Sequence, residues 1–522
     1  MAQFDRNENG NDGKNAADPF FDTPPQGMPS QENPQEPQDG NREQKVQPSS
    51  NGEAAKRKNI LKKVIAVVLA VAALVIAFFY GMHCAEYFYD DGLKSLLWFK
   101  ERVESEYYKD ISDEDFWQAA IDGVETILDP YSQYFTSDEY DEVVNSNMGI
   151  MDGIGLSFFM NTNKVARVSL NSPVFYAEKD PDHPMNIETG LSLTGIGTQK
   201  DSLTNVFDSV TLQEEMAKYK SGDTVYLRFT VETVENEEEL AAAQSTVISV
   251  QLSQYVESYV LYVANGKAWM MKYENEKDSG VWTDVSDYVS VDEKVSGNTA
   301  YLKLVEFNAG AASEFTRALE QFKQDGSDTL LFDLRNDGGG SLSVMQNISA
   351  HLLKDADSQN EIVLTAKYKN GLVENYTASG NDYNTYFAGK KIYVAANGNT
   401  ASASEALMGA MISYGTIGYE DIFLTDTPSK DAPTGDGFAK TYGKGIMQSY
   451  FYNPSLDEAV KLTTAQIYWP NGTSIHGTGI TTEDGEDGKH PTAVFAESNG
   501  VYGDPELDTI LSKVSMLFLP LH

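Results

Sequence analysis

The stretch Asn397-Gly398-Asn399-Thr400-Ala401-Ser402-Ala403-Ser404-Glu405-Ala406-Leu407 decides how the chain is organised. A β-type run, Lys391 to Ala396, leads into it, and a helical pattern of small residues through Met411 follows it. The Asn-Gly-Asn turn therefore joins a strand to a helix, and Ser402 is predicted near the start of that helix. This position offers free backbone N–H groups and a positive dipole end, which suit a nucleophile whose attack creates an oxyanion. The alternative is a Ser/Thr-rich helix cap, and the surrounding chain has to decide between the two.

The composition excludes several classes of function. With 522 residues the chain is long enough for several domains. Its formal net charge of −39 argues against nucleic acid as a partner, because a phosphate backbone requires a basic surface. A single cysteine, Cys84, excludes an internal disulfide framework and a cysteine-based zinc site, and the six histidines show no metal-ligand spacing. We therefore predict neither a metal nor a cofactor.

The N-terminal part is predicted to be a tail followed by a membrane anchor. Residues 1–59 are rich in polar residues and Pro and poor in apolar ones, so they are expected to be a disordered cytoplasmic tail. A basic cluster, Lys56-Arg57-Lys58 and Lys62-Lys63, precedes nineteen uncharged residues, Val64 to Met82. That length spans a bilayer as a helix, which predicts a transmembrane signal anchor over 60–83. The basic cluster places the N-terminus in the cytoplasm and the rest of the chain outside it.

A cleaved signal peptide is the closer alternative to an anchor. It requires a shorter apolar region and a small-x-small cleavage site, which Gly81-Met82-His83-Cys84 supplies poorly. The same tetrapeptide is also a poor lipoprotein acceptor. The sequence therefore favours a single-pass cell-membrane protein with its folded domains outside the cytoplasm.

Beyond the span, two further segments precede the site. Residues 85–148 carry apolar residues at helical spacing and are predicted to be a helical N-terminal segment. In 149–254 a glycine turn, strands, one helix and a closing strand follow in the order that resembles a PDZ domain. In that fold the backbone amides of the glycine loop bind a peptide's terminal carboxylate. The peptide-binding residues implied here are Gly153, Ile154, Gly155 and Leu156.

Residues 255–522 are predicted to form an α/β domain, which makes the whole chain α+β and multidomain. From Ala300 onward strands alternate with helices, and the strand Thr329 to Leu334 leads into Arg335-Asn336-Asp337-Gly338-Gly339-Gly340. After Ser402 the chain offers Tyr442-Gly443-Lys444-Gly445, in which two glycines let the backbone approach Lys444 closely. Gln448 lies one turn beyond Lys444 if that segment is helical. The usual role of a lysine is a solvated surface residue.

Taken together and in this order, these stretches resemble the carboxyl-terminal processing proteases, the tail-specific serine peptidases. The matching pieces are Asp129 to Ser132, Gly153 to Gly155, Asp333 to Gly340, Ser402 to Glu405, Tyr442 to Gly445 with Gln448, and Pro470 to Ile480. The resemblance covers about Leu93 to Ile480 and implies a membrane-anchored, extracytoplasmic serine endopeptidase. Its partners would be proteins or peptides with a free C-terminus, and the sequence leaves the oligomeric state open, a homodimer included.

The resemblance also implies roles for individual residues. Ser402 would be the nucleophile, Lys444 the general base and Gln448 the residue that orients the lysine amine. Backbone amides of Ala403 and of Gly339 or Gly340 would form the oxyanion hole. A lysine serves as base only when neutral, so its pKa must fall by roughly 3 units from ~10.4, about 4 kcal/mol, through burial. The PDZ-like domain would hold the substrate's tail and gate the site.

Two departures from the family pattern leave alternatives open. Ser402 and Lys444 are 42 positions apart, farther than in typical members, and the insertion near 420–439 brings Lys430 and Lys440 in as rival bases. A second, acidic insertion follows Ile480 and puts the docking of the C-terminal segment in doubt. A non-cleaving peptide-binding scaffold is one rival function. A Ser-His-Asp hydrolase using His476 is another, although Ser402 lacks a G-x-S-x-G elbow.

Overall fold

The computed structural model describes residues 63–78, 90–159, 161–180, 183, 185–275, 279–289, 295, 298–354, 361–425, 439–495 and 504–516. The predicted tail, residues 1–59, lies outside these ranges. Of the predicted span, 63–78 is helical and the remainder lies outside the described residues. No helix in the described ranges is both long enough and apolar enough to cross a membrane. The chain divides into two compact units, Met1–Asp129 and Pro130–His522.

The first unit contains two capped helices, α1 (Asp91–Glu106) and α2 (Asp113–Glu125). The Asp90 carboxylate accepts hydrogen bonds from Gly92 N and Leu93 N, and Ser112 Oγ accepts one from Asp115 N. These side chains satisfy N–H groups that have no partner in the first turn of a helix. Neither helix has a buried residue, and Trp98 on α1 is 62% exposed.

The second unit begins with strand β1 and helix α3 and continues into a small β domain, residues 150–256. The elements are β1 (Gln133–Phe135), α3 (Ser137–Asn147), β2 (Ile150–Gly153), β3 (Leu156–Phe158), β4 (Val165–Val168), β5 (Ser192–Gln199), β6 (Ser202–Asn205), α4 (Ser209–Met216), β7 (Thr224–Thr230), α5 (Glu237–Ala242), β8 (Ser245–Gln251) and β9 (Ser253–Val256). A four-stranded sheet has the order β6-β5-β7-β8, and β2 pairs with β9 and β3 with β4. Leu193, Leu227 and Phe229 lie in its apolar core.

The site is built on an eight-stranded sheet with the order β12-β11-β10-β13-β14-β17-β18-β21. Its strands are β10 (Val260–Ala264), β11 (Lys267–Lys272), β12 (Val281–Asp284), β13 (Thr299–Leu304), β14 (Thr329–Asp333), β17 (Lys391–Ala396), β18 (Ile422–Thr425) and β21 (Thr492–Val494). The strands from β13 to β21 are parallel, so β14 and its neighbour β17 end at the same edge. Loops that follow the carboxyl ends of parallel strands meet there, which is where such sheets place ligands.

Helices cover this sheet: α6 (Ala311–Asp325), α7 (Leu342–Ser349), α8 (Tyr383–Phe387), α9 (Ala403–Ser413) and α10 (Pro505–Met516). The α6 helix buries Phe315, Leu319 and Phe322, which recur at the three- and four-residue spacing of one helix face. Nine of the eleven residues of α9 are buried, so the position of Ser402 at its start is fixed by the core.

A second sheet supports the other side of the site. It contains β15 (Ile362–Tyr368), β16 (Val373–Thr377), β19 (Ile446–Asn453) and β20 (Glu458–Tyr468) in addition to β1. Strand β19 runs antiparallel along β20 and begins two residues after Lys444. Strand β1, which directly follows Ser132, pairs with β20 as well, so a segment from the start of this unit lies in the same sheet as β19.

Candidate active site

Ser402 occupies a strained turn between β17 and α9, as the strand–turn–helix pattern predicts. It is the N-cap residue of α9, with φ 58° and ψ −114°. A positive φ in a non-glycine residue is uncommon and costs free energy, and such residues cluster at functional sites. Ala403 is the first residue of the helix, so its N–H has no intrahelical partner and points along the positive end of the dipole.

The glycine loop after β14 packs directly on this turn. A Cβ atom at Gly339 would lie 2.8 Å from Ser402 Cβ and 2.8 Å from Ala403 N, so only glycine fits this approach. The loop is fixed from behind, because Phe307 N donates to Gly339 O and Ser341 N donates to Phe307 O, both at 2.8 Å. Gly339 N donates to Asp337 Oδ1 at 2.9 Å. The Gly339 amide is therefore engaged, which favours Gly340 as the oxyanion donor of this loop.

Asp337 connects the loop to the serine turn. Its carbonyl oxygen accepts hydrogen bonds from Ala401 N and Ser404 Oγ, both at 3.0 Å. The side chain is fully buried, and no residue in the described ranges bonds its Oδ2 atom. Burial raises the pKa of Asp337 well above its usual range, against the opposing bond from Gly339 N–H. Burial thus favours the neutral form of this carboxyl group, which lies behind the glycine loop.

The preceding residues tie the same loop to the C-terminal helix. Arg335 is 5% exposed and donates to Asp333 and, through two nitrogens at 3.0 and 2.7 Å, to Asp504 at the start of α10. Burial opposes the charge on Asp333, but Arg335 and Lys303 outweigh it and hold the pKa of Asp333 well below its usual range. The C-terminal segment thus docks on the strand that ends at the site, despite the insertion after Ile480.

Glu405 joins the serine turn to the lysine segment. Its carboxylate is fully buried. Oε2 accepts hydrogen bonds from Ser402 N at 3.0 Å and Lys444 N at 2.9 Å. Oε1 accepts from Thr441 Oγ1 at 2.6 Å and Gly443 N at 2.8 Å. Burial raises the pKa of Glu405, and the four hydrogen bonds oppose this rise because they stabilise the ionised form. These hydrogen bonds are what fits the carboxylate to its buried site.

The glycines that flank Lys444 are explained by a second loop. A Cβ at Gly443 would lie 2.8 Å from Gly479 N, and one at Gly445 would lie 2.8 Å from His476 N. Gly477 N also donates to Gly443 O at 2.8 Å. The Pro470-to-Ile480 motif therefore packs against the backbone of Lys444, whose side chain is half-buried.

Gln448 lies on strand β19 and not on a helix, so the helical spacing considered for it is wrong. Its Nε2 donates to Thr463 Oγ1 at 3.0 Å, and Thr463 N donates to Ser132 Oγ at 3.0 Å. The segment 446–453 is rich in aromatic residues and pairs along its whole length with β20, which explains the strand. Gln448 is thus positioned by a neighbouring strand.

Two of the three rival groups, Lys440 and His476, lie in the described residues. Lys430 lies outside the described residues. Lys440 is exposed, and its backbone bridges to Thr481. His476 is exposed too and contributes its backbone to the packing against Gly445. In the described ranges no group of three or more His, Cys, Asp or Glu side chains could hold a metal ion.

The sequence analysis assigned no individual role to several residues of this site, although most of them lie in the motifs it identified: Tyr131, Ser132, Asp337, Glu405 and Thr441. The Ser-x-x-Glu spacing of Ser402 and Glu405 is a capping-box pattern that could have indicated one of them. The others bond across gaps that local patterns do not report; Thr441 meets Glu405 from 36 positions away.

The predicted peptide-binding loop is held from one side. Ile154 O accepts a hydrogen bond from Val174 N at 3.0 Å, and Gly155 O accepts one from Ser169 N at 2.9 Å. Gly155 has φ 86°, and a Cβ there would overlap Ser172 at 2.1 Å. The carbonyl groups of this turn are thus directed toward residues 169–174. These two backbone hydrogen bonds fix the conformation of Gly153 to Leu156.

A charge cluster connects the small β domain with the sheet that carries the site. Arg167 Nη1 lies 3.3 Å from Glu257 Oε1, which is almost fully buried. Burial raises the pKa of Glu257 and of Glu306, and Arg167 opposes the rise in both. Glu306 directly precedes Phe307, the residue that fixes the Gly339 loop. Arg167 thus acts electrostatically on the residue that precedes Phe307, which in turn bonds the glycine loop of the site.

Part of the chain that carries this site is similar to a known protein family. Residues 298–418 match the sequence model of peptidase family S41, and this segment holds Gly339, Gly340, Ser402 and Glu405. The serine turn and the glycine loop thus lie in the segment that is similar to this family, within a mixed α/β fold of the S41 type. The predicted resemblance to the carboxyl-terminal processing proteases is confirmed by the relatives described next.

The chain is 25% identical over 391 residues to a probable CtpA-like serine protease of Staphylococcus epidermidis, a match that covers 74% of this chain and 64% of that protein. It is 26% identical over 377 residues to the carboxyl-terminal-processing protease of Picosynechococcus sp., which covers 71% and 73% of the two chains. A solved structure, the photosystem II D1 C-terminal processing protease, superposes with a TM-score of 0.40 at 16% identity over 75% of this chain and 86% of that one. The chain thus spans 64% of the length of the Staphylococcus relative.

Proposed function

We propose that the protein is a serine endopeptidase that cleaves by a Ser402–Lys444 mechanism. One observation carries the proposal: a single buried carboxylate oxygen, Glu405 Oε2, accepts the backbone N–H groups of both Ser402 and Lys444. The two backbones therefore lie within two hydrogen-bond lengths of each other, although 42 residues separate them in sequence. The Gly339 loop packs against Ser402 Cβ from the other side.

The chemistry follows from these positions. Ser402 Oγ attacks the scissile carbonyl carbon while the neutral amine of Lys444 takes the hydroxyl proton. The amides of Ala403 and Gly340 stabilise the resulting oxyanion. When the tetrahedral intermediate collapses, Lys444 gives its proton to the leaving amine and an acyl-enzyme on Ser402 remains. A water molecule, deprotonated by Lys444, then attacks the ester and releases the second product.

Substitution of the two residues tests this mechanism. Ser402→Ala and Lys444→Ala should each abolish cleavage of an unfolded protein with an apolar C-terminus, with unchanged circular dichroism. Lys444→Arg should also be inactive, because a guanidinium is not deprotonated in proteins. Lys440→Ala and Lys430→Ala are the matched controls and should retain activity. Near-normal turnover by Lys444→Ala would exclude the mechanism.

We further propose that the small β domain is a PDZ domain that binds the free C-terminal tail of the substrate through Gly153 to Leu156. The fixed glycine turn and the predicted order of strands and helix support this, since a terminal carboxylate is recognised by backbone amides. Amidation of a peptide's C-terminus should weaken its binding about tenfold or more, as measured by fluorescence anisotropy. Equal affinity for the acid and the amide would contradict the proposal.

The contact through Arg167 supports a gating role for this domain. Occupancy of the glycine turn would alter β3 and its partner β4, which carries Arg167 opposite Ser157. Arg167→Ala should then retain tail binding but lose most of its cleavage rate. Parallel losses in binding and cleavage would instead indicate damage to the domain itself.

We also propose that the segment 60–83 anchors the protein in the cell membrane with the catalytic domain outside the cytoplasm, supported by the basic cluster and the uncharged run in the sequence. Protease added to intact cells should degrade the large domain, and its protection would reverse the topology.

The exposed apolar residues of α1 and α2, among them Trp98 and Phe99, favour a homodimer. Sedimentation of the soluble part of the chain with and without residues 90–129 tests this.

A further inference from the structure

Tyr131, in the Asp129-to-Ser132 motif, lies against the lysine of the site. The centre of its ring is 4.6 Å from Lys444 Nζ. Its hydroxyl lies 2.8 Å from that of Tyr442, two residues before Lys444 and 311 positions away in the sequence. The next residue, Ser132, accepts the hydrogen bond from Thr463 N, and Thr463 in turn accepts from Gln448. Two adjacent residues thus contact the lysine and strand β20, which pairs with the strand that follows the lysine.

The face of an aromatic ring distinguishes the two protonation states of an amine. The ring quadrupole attracts a cation placed over the face and interacts only weakly with a neutral amine. In the position observed, the Tyr131 ring therefore stabilises the ammonium form of Lys444. A general base has to be neutral before it can accept a proton.

We propose that Tyr131 is a positioning residue that sets the pH at which Lys444 becomes available as a base, by holding its ammonium group under the ring in the resting enzyme. The inference rests on the proposed Ser402–Lys444 mechanism. It gives a role to the Asp-Pro-Tyr-Ser motif. Neither the proposed peptide binding nor the proposed oxyanion hole involves that motif.

Other charged and titratable groups around Lys444 act with or against the ring. The Glu405 carboxylate accepts the Lys444 backbone N–H and, when ionised, also favours the ammonium. Asp337 lies beyond the Gly339 loop, and burial raises its pKa and so favours its neutral form. His476 packs on Gly445, and Tyr442 bonds the Tyr131 hydroxyl. On β20, Lys461 lies with its Nζ 5.7 Å from the centre of the Phe135 ring. These groups remain in the variants at residue 131, and Tyr131→Phe controls for the lost bond to Tyr442, so the variants below isolate the ring face.

The experiment measures the pH dependence of kcat/KM for cleavage of one peptide with a free apolar C-terminus. The full-length variants are Tyr131→Leu, which keeps an apolar cover but removes the ring face, and Tyr131→Phe, which keeps the face and removes the hydroxyl. Tyr442→Phe is the matched control for the lost hydroxyl contact. We expect the acidic limb of the Tyr131→Leu profile to move to lower pH by about 0.5–1.5 units. Both Phe variants should keep the wild-type midpoint.

Fluorinated phenylalanines at position 131 keep the shape of the ring while they withdraw charge from its face, so they test the inference if Tyr131→Leu is unstable. The midpoint should fall stepwise with fluorine number. A Tyr131→Leu profile or a fluorinated series that superposes on Tyr131→Phe would overturn the inference and leave the dyad intact. Normal cleavage by Lys444→Ala would overturn both.

Discussion

At the scale of single residues, the site depends on a carboxylate that takes no part in bond making. Glu405 accepts four hydrogen bonds from three parts of the site: Ser402, the Thr441–Gly443 segment and Lys444. Each donor is a neutral group that would otherwise be buried without a partner, which costs about 1–3 kcal/mol per group. The geometry between the proposed nucleophile and the proposed base therefore rests on this side chain, which makes Glu405 a positioning residue in that mechanism.

Glu405→Gln should increase the distance between Ser402 and Lys444. An amide keeps one acceptor oxygen and replaces the other by an NH2 group, which would face two of the present donors. We expect a loss of about 2–4 kcal/mol in the free energy of unfolding, from denaturant titration, and a fall in kcat of at least about 100-fold with little change in KM. Glu320→Gln, in an exposed pair with Arg317, should change neither quantity. Wild-type kcat in Glu405→Gln would show that the donors find other partners.

The same residues show what the sequence could predict of the site. Ser402 at a helix start followed from a strand, a turn and small residues within about a dozen positions, all local signals. Three of the four partners of Glu405 did not, because they are separated from it by 36 to 39 positions that include an insertion. Likewise, the sequence could not choose between Gly339 and Gly340. That choice depends on which N–H group Asp337 accepts.

At the scale of elements, the strands β13, β14 and β17 and the helices α6, α7 and α9 were predictable, because each carries its own periodicity and turn residues mark their ends, whereas the hairpin β15–β16 and α8 were not predicted. Gln448 was assigned a helical spacing that the fold replaces by the strand β19. A residue four positions after another fits both spacings, and only the pairing of β19 with β20 decides. The docking of α10 was in doubt for a similar reason. It depends on the distant Arg335, which receives Asp504 and Glu506 from the C-terminal segment.

The α10 contact predicts an effect of a substitution outside the site. Asp504→Asn removes one of the negative charges that face the buried Arg335. Arg335 keeps Asp333 and Glu506 as charged partners. We expect the free energy of unfolding to fall by about 1–2 kcal/mol and kcat to fall several-fold, since Arg335 begins the loop that ends at Gly340. Glu483→Gln, exposed in the acidic insertion, is the control and should be neutral. Unchanged thermal unfolding of Asp504→Asn would mean that α10 is not held by this pair.

At the scale of the whole molecule, a chain with a net charge of −39 buries several carboxyl groups whose pKa is raised, each chiefly by burial. These groups are Glu257, Glu306, Glu314, Asp337 and Glu405. Each binds its proton more tightly in the folded chain than in the unfolded one, so each makes folding less favourable as the pH rises through its folded pKa. The repulsion between surface carboxylates increases in the same direction. The carboxyl groups near Arg167 and those at the site thus make the stability of the folded chain depend on pH.

Glu314 allows this coupling to be measured at one residue. It is fully buried, and burial raises its pKa to about 7 from 4.5, against hydrogen bonds from Tyr273 OH, Ser258 Oγ, Tyr259 N and Val260 N. Because the pKa is raised, its contribution to stability is present below about pH 4.5 and is lost as the pH rises to about 7. Glu314→Gln keeps an acceptor for the three donors at Oε2 and does not titrate. Urea titrations at intervals from pH 4.5 to 8 should show the wild type losing up to about 3 kcal/mol more than Glu314→Gln over this range. Parallel pH profiles of the two proteins would show that the four donors hold Glu314 ionised in the folded state.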